Sequence, residues 1–430
     1  MSYRERLLKV IPGGAHTYSR GHDQYPANAP QILVSGKGAY VLDPAGNRFL
    51  DYGMALRAVN IGYAEDEIDQ AAWAQMRNGN NLTRPSLIEL QAAELLVGLI
   101  ESVDMVKFTK NGSTSVSAAV KLARAYTGRE LVARCAEHPF FSYDDWFIGS
   151  TPLTRGIPKG TIEQTKLFPF NDITALEALL ERFSGQVACV VLEPAATDEP
   201  RNDYLLRVQE LCRKSGTLFV LDEMITGFRW HMKGAQHLYG VEPDLSTFGK
   251  AMANGYSVSC VAGRREVMEL GSIEFEGRER VFLLSTTHGA EMSGLGAFVA
   301  TVGFMQRQEV VAHLWDYGSK LVSMLQRQAI AHGIAESFRV GGAACSPYYV
   351  TFDTSGAHSL ALRTLFLQEM IRHGVLMPWI ALSYRHGEAE LAATERAVDS
   401  AFRVYRRGLE EGVERYLEGP VIKPVFRRFN

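Results

Sequence analysis

The chain reads as an α/β protein: a large, mainly parallel sheet domain with helices on both faces, plus a smaller α+β domain. Three observations predict this. From about residue 85 to 290, apolar runs of four to six residues alternate with stretches of helical period. After about residue 300 the helical period dominates, with one further strand-like run. At 430 residues the chain is long enough for two or three compact units.

Taken in order, the first 50 or so residues are rich in Gly, Pro and turn pairs, with a hairpin-like stretch over 38–47 whose turn is Asp43-Pro-Ala-Gly46. Segment 1–55 is expected to form a loop-and-ribbon part of the smaller domain, at the mouth of any active site. Strands are expected at Met105–Thr109, Leu131–Cys135, Val187–Leu192, Leu218–Leu221 and Val258–Ala262. Between two of them, Leu176, Leu179, Leu180 and Phe183 share one helical face after an Asn171-Asp172 cap, and Gly185 stops that helix. Residues 56–300 are therefore assigned to the large domain and 301–430 to the small one. In the latter, Tyr348–Phe352 supplies a strand, while Leu362, Leu365, Phe366 and Met370, then Leu391, Val398, Phe402 and Tyr405, form helical stripes.

Composition removes several classes of function. A net charge of -3 offers no basic excess to neutralise a phosphate backbone, so nucleic acid is not an expected partner. The five cysteines are scattered, without CxxC spacing or neighbouring histidine pairs, which argues for buried thiols in a reducing compartment and against a metal site. No stretch approaches the roughly 18 apolar residues of a membrane span, nor does a signal-length apolar segment follow the first residues, so a cytoplasmic protein without a membrane partner is expected.

The candidate chemistry begins at Lys250, which follows by 28 positions the acidic pair Asp222-Glu223 that closes the apolar run from Leu218. A carboxylate at a strand end lies where open α/β sheets place ligand groups. A lysine flanked by Gly249 and small residues lets a cofactor approach closely. Together they suggest a lysine held as a Schiff base and a carboxylate held against a pyridinium, the two protein groups that pyridoxal 5'-phosphate chemistry needs. Glu193, closing another apolar run, and Glu223 are open to the same reading or to helix capping and salt bridging. Gly112, Ser113 and Thr114 sit where a strand gives way to a helix, and their backbone N–H groups and two hydroxyls suit either an anion site or an ordinary N-cap. GxGxxG is absent, and Gly249-Lys250-Ala251 lacks the Walker spacing, which disfavours a nucleoside triphosphate.

In order along the chain stand Ile11-Pro-Gly-Gly-Ala-His-Thr-Tyr-Ser-Arg20, Asn111-Gly-Ser-Thr114, Leu122-Ala-Arg-Ala-Tyr-Thr-Gly128, Leu221-Asp-Glu-Met-Ile-Thr-Gly-Phe-Arg229, Phe248-Gly-Lys-Ala-Met-Ala-Asn-Gly255 and Ser285-Thr-Thr-His-Gly289. This set, spread over about residues 8 to 410, resembles the class III aminotransferases, above all the branch that contains glutamate-1-semialdehyde 2,1-aminomutase. The resemblance implies a fold type I enzyme that binds pyridoxal 5'-phosphate, acting as a homodimer with its active site at the subunit interface. It also implies roles: Lys250 for the Schiff base, Asp222 for the pyridine nitrogen, Ser113 and Thr114 with the Gly112 backbone for the phosphate, and Glu193 near the cofactor. Thr286 would reach the phosphate of the neighbouring subunit's cofactor, with Ser285 where the family has glycine. The family's ring-stacking aromatic falls at Phe140 and its following histidine at Phe141. Arg20, Arg57, Arg84 and Trp379 are the candidates to bind substrate, since the guanidinium fork suits a carboxylate or phosphate.

Transfer of an amino group from a small amino donor such as glutamate to a keto or aldehyde acceptor, a sugar or other hydroxylated compound among the candidates, is the reaction expected. Intramolecular transfer, as in the aminomutase, is the alternative; that enzyme carries Ser-Pro-Val-Arg where this chain has Thr17-Tyr-Ser-Arg20. A cofactor-fold protein that binds without turnover is a third reading, which the presence of both Lys250 and Asp222 disfavours.

Overall fold

The computed structural model describes residues 1–274 and 276–429. Its strands are β1 (Ser35–Lys37), β2 (Tyr40–Leu42), β3 (Arg48–Asp51), β4 (Met105–Thr109), β5 (Leu131–Cys135), β6 (Thr165–Phe168), β7 (Val187–Leu192), β8 (Leu218–Asp222), β9 (Leu245–Phe248), β10 (Ser259–Gly263), β11 (Phe338–Gly341), β12 (Tyr348–Thr351) and β13 (Val375–Leu376). They fall into two compact units, one of Met1–Glu65 with Ala312–Arg427, the other of Asp66–Val311 with the last residues from Arg428.

The second unit is built on a seven-stranded sheet of order β4-β10-β9-β8-β7-β5-β6. Only β10 runs against its neighbours, pairing antiparallel with both β4 and β9; the others share one direction, as the alternation of runs and helices predicts. Strands β7 and β8 are buried at every position, which is why they read as unbroken apolar runs. Against one part of the sheet pack Leu176 and Leu180 of the helix Ile173–Arg182 and Leu205 and Val208 of the helix Tyr204–Ser215, in one core with Phe168, Val190, Phe219 and Leu221. The Asp172 carboxylate caps the first of these helices, accepting from Ala175 N at 2.9 Å.

Two strands of this sheet escaped the sequence reading. β6 lies at the sheet edge, and β9 is Leu-Ser-Thr-Phe, too polar to show as an apolar run although all four residues are buried. β10 starts at Ser259, one residue later than expected, because the pairing of Gly263 with Met105 and Leu245 extends the ladder at its other end.

In the first unit, β1-β2-β3-β13 form a small sheet in which β13 joins β3 in parallel. That junction carries the chain after Leu376 back alongside β3: Tyr52 N donates to Leu376 O at 2.7 Å and Ala381 N to Tyr52 O at 2.8 Å. The expected strand near 350 is β12, paired with β11. Leu362, Leu365, Phe366 and Met370 are buried on the helix Leu360–Arg372, as are Val398, Phe402 and Tyr405 on Glu388–Glu411. Among the described residues no helix is long and apolar enough to cross a membrane.

Candidate active site

Asp222 is the last residue of β8, and the parallel register sets it opposite Thr247 of β9. Its Oδ1 accepts from Thr247 Oγ1 at 2.9 Å and from Met224 N at 3.0 Å. The carboxylate is buried, and burial pushes its pKa up to about 6 from 3.8 against the opposing pull of the Lys250 charge and of those two hydrogen bonds. The ionised form of a buried acid of this kind is favoured by a neighbouring cation, which is what a pyridinium nitrogen supplies.

Lys250 follows β9 through the extended Gly249 and has φ +44°, in the left-handed region. At Gly249 a Cβ would lie 2.5 Å from Ser259 Oγ and 2.6 Å from Met224 Sδ, and at Gly112 it would lie 2.9 Å from the same sulfur. Met224 is therefore the wall on which the end of β8, the turn before Lys250 and the start of the helix Gly112–Thr127 meet. Sequence reasoning passed over it and Thr247. Met224 stands inside one quoted motif and Thr247 just before another, but their role depends on register.

At the positive end of that helix, Asn111 Oδ1 accepts from Thr114 N at 2.9 Å and from Thr114 Oγ1 at 3.0 Å, so Thr114 is engaged by the N-cap. Ser113 is buried, and its Oγ accepts from Tyr143 N at 3.2 Å while its carbonyl accepts from Ser142 Oγ at 3.3 Å. These bonds tie the segment after β5 to the helix start. Within that segment Phe140 is 47% exposed and meets Phe147 edge-on at 5.7 Å, whereas Phe141 is buried. A ring face is thus presented at 140.

His138, two residues earlier, is a buried residue the sequence reading did not single out. Its Nδ1 accepts from Glu193 N at 2.9 Å, which leaves the proton of the neutral ring on Nε2. Burial, aided by the Arg134 charge, lowers its pKa to about 3, so it stays uncharged. Through it the Phe140 segment is joined to the end of β7 at Glu193, itself buried. Glu223 resolves differently: its carboxylate accepts from Thr226 Oγ1, from Ala235 N at 3.0 Å and from Gln236 N at 2.8 Å, the work of a structural anchor.

Thr286 is exposed and lines a separate cavity of about 450 Å³ against β4, with Val106, Lys107, Phe108 and Glu89. Arg84 is exposed, in the turn before the helix Leu87–Leu99. The remaining candidates belong to the first unit. Arg20 ends a short turn and is exposed, and its charge favours ionisation of Tyr25 and Tyr63 against the much larger effect of their burial. Arg57 closes the run Met54–Arg57, whose four residues all have positive φ (38°, 49°, 62° and 67°), at about 1–2 kcal/mol for each. Trp379 Nε1 donates to Gly53 O at 3.0 Å, and its side chain packs against the buried cluster of Met54, Val59 and Ala381. Arg57 and Trp379 are thus brought to one turn.

A buried acid that calls for a cationic partner, a lysine whose charge reaches it, a helix N-terminus and an outward aromatic ring fit pyridoxal phosphate. Fold and site define a fold type I, pyridoxal-phosphate-dependent transferase. Residues 21–378 match the family model "Aminotransferase class-III". The 3-aminobutyryl-CoA aminotransferase of Cloacimonas acidaminovorans is 33% identical over 410 residues, 93% of this chain and 95% of that one. The internal aldimine form of the FumI protein of Sphingopyxis sp. MTA144 superposes with a TM-score of 0.86 at 26% identity, over 95% of this chain and 97% of that one. A glutamate-1-semialdehyde aminomutase of Pseudomonas aeruginosa shares the fold, with a TM-score of 0.82 at 19% identity over 94% of both chains. The chain belongs to the class III aminotransferase family, and pyridoxal 5'-phosphate is its cofactor.

Proposed function

We propose that the protein transfers an amino group from an amino acid donor such as glutamate to the carbonyl of a 3-oxo acyl compound, releasing a 3-amino product. The observation that carries the transfer is the pairing of buried Asp222 with Lys250. The 33% identical 3-aminobutyryl-CoA aminotransferase supports the position of the amino group and the acyl class of the acceptor.

When bound, the cofactor supplies a ring that takes up the charge left on carbon when its proton is removed. Asp222 holds the ring nitrogen protonated and so maintains that capacity. Lys250 would anchor the aldehyde and, as a free amine, would serve as the base that takes and returns the proton of the amine-bearing carbon. Gly112, Ser113 and Thr114 hold the phosphate at the helix N-terminus, and Phe140 covers one ring face. Glu193, buried beside His138, would border the cofactor site. Arg20 and Arg57 bind the anionic end of the substrate, with Trp379 beside them and Arg84 at the entrance. Thr286 completes the phosphate site of a second copy in a homodimer. Five buried free thiols support a reducing, cytoplasmic setting.

The test offers the pyridoxamine-phosphate form a panel of 3-oxo acids and thioesters, keto sugars, aldehydes and glutamate semialdehyde, and follows recovery of the pyridoxal absorbance. Recovery with 3-oxo acyl compounds is expected. Preference for a keto sugar would move the acceptor to the hydroxylated class. Turnover of glutamate semialdehyde with no external acceptor consumed would overturn the reading in favour of the aminomutase.

A further inference from the structure

Two buried hydroxyls on β9 stand beside the acidic pair at the end of β8, and strand alternation sends them to opposite faces of the sheet. Ser246 Oγ accepts from Gln236 Nε2 at 3.3 Å, and Gln236 N in turn donates to Glu223 at 2.8 Å, so that hydroxyl belongs to the structural anchor. Thr247 serves Asp222 instead. Among the described residues, both hydrogen bonds that Asp222 accepts, from Thr247 Oγ1 at 2.9 Å and from Met224 N at 3.0 Å, arrive at Oδ1. The Thr247 carbonyl also accepts from Glu223 N at 2.9 Å, so residue 247 grips the end of β8 by main chain and side chain alike. Three residues further on, the same strand end delivers Lys250, whose charge bears on the Asp222 carboxylate.

We propose that Thr247 is a positioning residue for the cofactor: its hydroxyl, donating to Oδ1, fixes the rotation of the Asp222 carboxylate so that Oδ2 is the oxygen that receives the N–H of the pyridine ring. Thr247 acts in this way through the pairing of Asp222 with the ring nitrogen, the pairing on which the amino-transfer reading above also rests. Threonine suits the task, because its hydroxyl has a proton to give while its branched Cβ favours the strand. Without the hydroxyl, Met224 N alone holds Oδ1, and the carboxylate gains freedom to turn about its Cβ–Cγ bond, a broad torsion in aspartate. Binding the ring nitrogen then has to supply the order that the hydroxyl provided beforehand.

The experiment takes the full chain, unaltered and with Thr247→Val, Thr247→Ser, Asp222→Asn and the double variant Asp222→Asn/Thr247→Val. Equilibrium dialysis reads the affinity for pyridoxal 5'-phosphate and for its deaza analogue, in which a C–H replaces the ring nitrogen. Thr247→Val, which keeps the shape and the strand preference but loses the donor, should weaken pyridoxal phosphate by roughly tenfold and leave the deaza analogue within about twofold. Thr247→Ser, which keeps the donor, should restore most of the affinity, and the double variant should bind pyridoxal phosphate no more weakly than Asp222→Asn alone. Equal weakening of both compounds by Thr247→Val would reduce the residue to a structural role and overturn the proposal, as would unchanged affinity for pyridoxal phosphate or losses that multiply in the double variant. If Asp222→Asn distinguishes the two compounds and Thr247→Val does not, the pairing of acid and ring nitrogen stands and the role of Thr247 alone falls. If Asp222→Asn fails to distinguish them, the pairing falls and takes the proposal with it. Should Thr247→Val not fold, Thr247→Ala puts the same question to the two compounds.

Discussion

Asp222 sits in surroundings that oppose its charge. In the cofactor-free chain its folded-state pKa, about 6, stands above its ordinary 3.8. Below pH 3.8 folded and unfolded chains are both protonated there and the residue is neutral in its effect. Between 3.8 and 6 the unfolded chain ionises first, so stability falls as pH rises, and above 6 the full penalty of roughly 3 kcal/mol is present. Asp222→Asn, which removes the charge, should therefore stabilise the cofactor-free protein increasingly from pH 4 to 6 and constantly above, while abolishing turnover. Denaturant melts at several pH values check this, and a pH-independent difference would contradict it. Lys250→Ala should keep the cofactor noncovalently but lose amino exchange by roughly a thousandfold or more, with borohydride no longer fixing cofactor to the chain. Lys250 and Asp222 were legible in the sequence because each sits in a short motif at a set distance; His138 was not, since a lone histidine shows its partner, the Glu193 amide, only when two strand ends converge.

At the scale of elements, the site depends on close approach. Gly249→Ala would force a Cβ against Ser259 Oγ and Met224 Sδ, and overpacking of this kind costs about 1–3 kcal/mol. Because the displaced turn carries Lys250, a fall in activity larger than the fall in stability is expected, measured by turnover beside thermal melts. Asn111→Ala removes both hydrogen bonds to Thr114 and should cost about 1 kcal/mol and weaken cofactor retention. Strands β7 and β8 were plain in the sequence since they are apolar throughout. β9 was hidden because its buried Ser246 and Thr247 are polar; Thr247 faces Asp222 as a hydrogen-bond donor, so the requirement of the site erased the signal of the strand.

Across the whole molecule, cofactor binding should act as a ligand of the folded state. At a concentration 100 times Kd it adds about 2.7 kcal/mol, so the melting temperature should rise with pyridoxal phosphate. Protection from hydrogen exchange should concentrate at 111–115, 222–226 and 247–254 in the second unit, and uniform protection would argue that the cofactor sits elsewhere. What the sequence determined alone was the α/β class, the family and its cofactor, because periodicity and short motifs are properties of neighbouring residues. Only the tertiary structure decided that Met224 joins three separate segments, that Glu223 is an anchor while the Asp222 carboxylate lies within reach of the Lys250 charge, and that Asp51 and Tyr63 hold the left-handed turn 54–57. Those outcomes depend on which distant residues the sheet register sets side by side and which polar groups burial leaves to find one another, and neither is written in any local stretch of chain.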